Sequence, residues 1–99
     1  MDVQNLKQWV VDRPVVVEIE ADTKLFQFYK SGILRDTTYN ECGQYISHKI
    51  LLVGYNDIQV YWRLKNNWGS DWGEAGFVRI GQKDAPGFCG MLQRPVTLI

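Results

Sequence analysis

The sequence predicts an α+β fold: a mainly antiparallel β partial barrel carrying one or two short helices. Three observations lead there. "VVVEIEA" (15–21) alternates Val15, Val17 and Ile19 on one face with Val16, Glu18 and Glu20 on the other, the period of a half-buried strand. Two further β-rich runs, "YISHKILLVGY" (45–55) and "IQVYWRLKN" (58–66), are separated by Asn56-Asp57, residues suited to a hairpin turn. Ahead of the first strand, Val3, Leu6 and Val10 keep helical spacing.

Taken in chain order, Asp2 is placed to cap a helix over 2–12, and Arg13-Pro14 ends it because the residue before a proline is steered out of the helical region. The strand at 15–21 follows. Asp22 then opens a short helical turn through Phe28, closed at Ser31-Gly32, and a polar loop runs from Arg35 to Gln44. Beyond the hairpin, "GFVRI" (76–80) reads as another short strand, and from Gly81 the chain reads as a loop punctuated by Gly and Pro. With 99 residues, 45% hydrophobic content and four Trp, five Tyr and four Phe, the chain has material for one core but not two. A single domain over 1–99 is expected.

Charge and hydropathy exclude some partners. Eleven basic residues balance eleven acidic ones and no Lys/Arg run occurs, so no nucleic acid partner is expected. The longest strictly aliphatic run, Ile50 to Val53, falls far short of the ~18 residues of a membrane span. The start, "MDVQNLK", lacks the basic and then apolar pattern of a secretory signal, so an exported form would be processed or truncated.

The stretch "LKNNWGSDWGEAGFVRI" (64–80) is the unusual one, with two adjacent Asn and two Trp-Gly pairs. Two large indoles beside glycines are costly on an open surface, which suggests a site or a contact. A three-residue hairpin loop, 56–58, would set the single His, His48, opposite Asn66, within reach of a hydrogen bond, and Lys49 opposite Lys65. A two-residue loop would slip the register and put Lys65 there instead.

"RPVVVEIEA", "LFQFYKSGI", "SHKILLVGY", "YWRLKNNWGSDWGEAGFVRI" and "CGM" occur in an order and spacing that resembles the C-terminal half of papain-like cysteine peptidases, the cathepsin group. The resemblance runs from about Val3 to Val96 and implies the right-hand, barrel-like domain of that fold. It implies that His48 is the general base and Asn66 the residue that orients it. Trp68 matches the indole that shields their bond from water, and Trp72 the indole on the leaving-group side of the cleft. A thiol becomes a good nucleophile once an imidazole takes its proton, and an Asn carbonyl fixes the ring that does so. The nucleophilic Cys and the Gln that helps bind the oxyanion are expected on a partner chain or a missing N-terminal half, with a peptide or protein as substrate and no cofactor. Cys42 and Cys89 match the two halves of a disulfide in many family members; two Cys and one His without a CxxC spacing leave a zinc centre short of ligands. Such a disulfide would stabilise the fold by roughly 4 kcal/mol in the chain-entropy model and implies a lysosomal, vacuolar or extracellular location.

The chain also departs from the family pattern. Ile46 keeps the apolar wall of the pocket for the substrate side chain two before the scissile bond. Lys49 and Glu18, however, stand where small residues are usual, Ser47 where Asp or Asn is frequent, and Asn67 where Ser is common. Between Gly90 and Pro95-Val96 the chain is about three residues shorter than typical. Glu18 and Lys49 are expected to form an ion pair that narrows the pocket or makes it polar, the alternative being that both are solvated. Two function classes follow: the His/Asn-bearing half of a cysteine peptidase, inactive alone, or a non-catalytic structural or interaction subunit that kept the fold.

Overall fold

The computed structural model describes residues 3–19, 24–35, 48–82 and 95–98. Helix α1 (Val3–Asp12) buries Leu6 and Val10, with Val3 packed at the edge of the core, as the helical spacing requires. The amide of Arg13 donates to the Trp9 carbonyl at 3.2 Å, and Pro14 stops the helix. Strand β1 (Val15–Ile19) then turns Val15, Val17 and Ile19 fully inward and leaves Val16 and Glu18 half-buried on the other face. Each fully buried aliphatic side chain contributes roughly 1.5–3 kcal/mol of hydrophobic stabilisation.

Helix α2 (Lys24–Gln27) is a single turn that ends one residue before the expected Phe28, and Asp2, Glu20, Ala21, Asp22 and Thr23 lie outside the described residues. The remaining strands are β2 (Ile33–Leu34), β3 (His48–Asn56), β4 (Tyr61–Lys65), β5 (Phe77–Gly81) and β6 (Pro95–Leu98). They form one six-stranded sheet in the order β2-β5-β4-β3-β1-β6, antiparallel except for the β2–β5 pair. The fold is α+β, with one sheet face packed on α1 and α2 around Leu52, Trp62, Leu64, Val78 and Ile80. No helix among the described residues is long and apolar enough to cross a membrane.

Three expectations change. The hairpin loop has four residues, 57–60, rather than the three at 56–58: Asn56 pairs with Tyr61 and Tyr55 with Trp62, and the register shifts between Leu52 and Gly54. Asn56 Oδ1 accepts from the amides of Ile58 and Gln59, both at 2.9 Å, so its side chain organises the turn. Val60 is left in the left-handed region at φ 58°, where its carbonyl accepts from Gln82 N at 3.1 Å and Arg35 Nη1 at 3.2 Å. Second, Lys49 does not face Lys65. Lys65 pairs with Leu51, while Lys49 lies opposite Glu18 on β1. Third, the tail from Gly81 is not wholly loop: Gly81 ends β5 and residues 95–98 add an edge strand to β1. Pro95 suits that place, because an edge strand tolerates a missing amide donor at its start.

Candidate active site

His48 is the first residue of β3, and Asn66 follows the last residue of β4. The bulge between Leu52 and Gly54 and the four-residue turn decide how far these two strand ends reach past each other. The outcome is a bond of 2.7 Å between His48 Nε2 and Asn66 Oδ1. The predicted partner is right and the register that predicted it is wrong.

That bond has a direction. Asn66 Oδ1 also accepts from the amide of Asn67 at 2.8 Å, which fixes that atom as oxygen. An oxygen without a proton needs a donor, so Nε2 carries the hydrogen and Nδ1 is the ring nitrogen left to accept a proton. Asn66 is only 2% exposed, and its Nδ2 has no hydrogen-bond partner among the described residues. An unsatisfied buried amide costs about 1–3 kcal/mol, so stability alone does not account for Asn at this place.

The two Trp-Gly pairs lie in the chain reversal that follows Asn66. From Asn66 the chain reverses to Gly76, whose carbonyl accepts from Asn66 N at 3.0 Å and whose amide donates to Trp72 O at 2.8 Å. Gly73 sits at φ 60°, where a Cβ would lie 2.6 Å from the Phe77 carbonyl oxygen; glycine is required there. The reversal sets the Trp68 ring 5.0 Å from the His48 ring at 41°, with Trp68 still 41% exposed. Trp72, 9% exposed, stands edge-on behind Trp68 at 5.4 Å and donates through Nε1 to the Phe26 carbonyl at 3.1 Å.

Phe26 was not singled out from sequence, yet its ring contacts Trp68 at 5.5 Å, Trp72 at 5.0 Å and His48 at 6.4 Å. The only signal for it is the i, i+3 spacing of Phe26 and Tyr29, both buried. Glu74 was missed as well. It takes two bonds from Arg79, at 2.9 and 2.8 Å, and a third from Gly32 N at 3.0 Å. Tyr29 OH donates to the Gly32 carbonyl at 2.7 Å, so one network ties α2 and β2 to the turn that carries Trp72. The bonds from Arg79, aided by Gly32 N, hold the Glu74 carboxyl below its usual range; Glu74 in turn raises Arg79, and burial raises the Tyr29 phenol.

Glu18 and Lys49 are direct cross-strand partners beside this pair, since Ile19 faces His48 one step along. They do not form the expected ion pair: the ion pairs among the described residues are Lys7–Asp57, Arg13–Asp12 and Arg79–Glu74. Both project from the same sheet face, Glu18 half-buried and Lys49 extended into solvent. Cys42, Cys89, Ile46 and Ser47 lie outside the described residues.

Comparison with known proteins gives a consistent result. The family model "Papain family cysteine protease" matches residues 1–99. The senescence-specific cysteine protease SAG12 of Arabidopsis thaliana is 39% identical over 98 residues, covering 94% of this chain and 27% of that protein. Among solved structures, the cysteine protease CMS1MS2 of Carica candamarcensis, in complex with E-64, superposes with a TM-score of 0.79 at 35% identity, covering 97% of this chain and 45% of that one. The bromelain protease of Ananas comosus gives 0.74 at 31% identity, covering 89% and 41%. The chain spans about a quarter of the length of the curated relatives it matches.

Proposed function

Because the chain belongs to the papain family of cysteine proteases, we propose that it supplies the His/Asn-bearing half of a peptidase site, with the thiol and an oxyanion-binding Gln coming from another chain or from a further segment. The observation that carries the reading is the 2.7 Å bond from His48 Nε2 to Asn66 Oδ1, which leaves Nδ1 as proton acceptor. In the proposed mechanism Nδ1 takes the proton of the thiol, and the thiolate attacks the peptide carbonyl. The imidazolium keeps its Nε2–H on Asn66 throughout, so the ring neither flips nor changes tautomer. It then delivers its proton to the leaving amine, and water releases the acyl group with Nδ1 again as base. Trp68 and Phe26 keep water from the His48–Asn66 bond, which strengthens it.

The domain boundary at 1–99, the Cys42–Cys89 disulfide and an oxidising vacuolar, lysosomal or extracellular compartment belong to the same proposal. The test is reconstitution. The 99-residue chain alone should release no fluorogenic product from a peptide, and addition of a Cys- and Gln-bearing half from a relative should restore turnover. In the reconstituted enzyme His48→Ala should lower kcat by about 10²–10⁴-fold. Stable docking without turnover would instead favour a non-catalytic structural or interaction subunit.

A further inference from the structure

We propose that Lys49, together with Lys65, makes the hollow beside His48 and Asn66 a subsite for an acidic side chain of the peptide substrate; this rests on the peptidase reading above. The hollow has a volume of about 260 Å³ and is lined by Val16, Lys49, Ile50, Leu51, Lys65 and Asn67. It lies one residue along the chain from the candidate catalytic pair: Lys49 follows His48, and Lys65 and Asn67 flank Asn66, while the hollow opens on the sheet face of Val16 and the His48 side chain belongs to the face of Ile19.

The chemistry of the lining selects the occupant. Val16 and Leu51, direct partners across β1 and β3, supply an aliphatic wall, and the two lysines are the only charged residues in the lining among the described residues. Neither lysine has an ion pair among the described residues. Lys65 Nζ has only a 3.5 Å contact with the Asn66 carbonyl and a place 5.2 Å from the centre of the Phe77 ring. Lys49 is exposed, and the one acid in register with it, Glu18, is not paired to it. A side chain with an aliphatic stem and a terminal carboxylate matches both parts: the stem covers Val16 and Leu51, and the head meets an ammonium. An apolar side chain would desolvate the ammonium groups without replacing their water, and a basic one would be repelled. Glu18 opposes the selectivity, since it both repels the incoming carboxylate and attracts Lys49.

The experiment compares matched peptides carrying Glu, Gln, Leu or Lys in turn at each position before the scissile bond, turned over by the reconstituted enzyme. At one position, Glu should exceed its uncharged isostere Gln by about threefold in kcat/KM at low salt, the size of an exposed ion pair. The ratio should fall to parity in Lys49→Ala, rise in Glu18→Gln, and shrink with added salt. Glu no better than Gln at every position overturns the subsite while leaving the peptidase reading intact. Weakened association of the two halves in Lys49→Ala, with selectivity unchanged, also overturns it, because the carboxylate then belongs to the other half. If no peptide is turned over, the peptidase reading fails, and the subsite is judged on the 99-residue chain by NMR. N-acetyl-Glu-amide should then shift the Lys49 and Lys65 side-chain signals more than N-acetyl-Gln-amide does, and equal shifts overturn it.

Discussion

Strand β4 has a turn at each end, and the two are built on different principles. The 57–60 turn lies in solvent: Ile58 is 92% exposed, and its order comes from the Asn56 side chain and from carbonyl contacts to Arg35 and Gln82. The 66–76 reversal is packed: it encloses Asn66 and Trp72, is closed by hydrogen bonds at both ends, and holds the Trp68 ring against His48. A turn that only joins two strands can be held by its own polar groups. A turn that carries a site needs neighbours from distant parts of the chain, here Phe26 and the Tyr29–Gly32 segment.

The sharpest test of that contrast is truncation of one apolar side chain in each turn. Trp72→Ala should destabilise the fold by about 3–5 kcal/mol, through the lost aromatic packing and the lost bond to the Phe26 carbonyl. Ile58→Ala should change it by less than about 0.5 kcal/mol. Urea titrations of both variants make the comparison, and similar midpoints would break it.

A smaller effect concerns how the packed turn is tied down. Glu74→Gln should cost about 1 kcal/mol at neutral pH, since the bonds from Arg79 lose their charge while Gly32 N keeps an acceptor. The sign with pH follows from the lowered pKa of Glu74. Its stabilisation is complete above the ordinary carboxyl value of 4.5 and is lost as pH falls through the lower value of the folded state. The parent and the variant should therefore approach equal stability in acid, and a difference that stays constant from neutral to acid pH would count against Glu74 as its source.

The smallest effect lies in the exposed turn. At φ 58°, Val60 carries left-handed strain of roughly 1–2 kcal/mol that glycine would relieve, while glycine's freedom in the unfolded chain returns about 0.4–1 kcal/mol. Val60→Gly should be neutral to slightly stabilising in a thermal melt. A marked loss would show that the exposed turn also depends on side-chain packing.

Much of this molecule was legible because its signals are local. The alternation at Val15, Val17 and Ile19 marks a strand whatever its neighbours, since side chains on an extended chain alternate faces. The spacing of Leu6 and Val10 and the stop at Pro14 mark α1 in the same way. Naming His48 with Asn66 was also within reach, because the Trp-Gly motif resembles a family in which the two are partners.

What sequence left open was everything that depends on how far one strand slides past another. The bulge between Leu52 and Gly54 and the left-handed Val60 have no local signature, yet they pair Lys65 with Leu51 instead of the expected Lys49. Short β2 and β6 exist only because β5 and β1 offer edges with free hydrogen-bonding groups. Phe26 and Glu74 join the site from 40 and 8 residues away from Asn66, contacts that no local period encodes. The sequence thus determined which faces are apolar and where His48, Asn66 and the Trp-Gly pairs stand along the chain. The tertiary structure decided which of them meet, because register and long-range packing are settled by the free energy of the whole sheet.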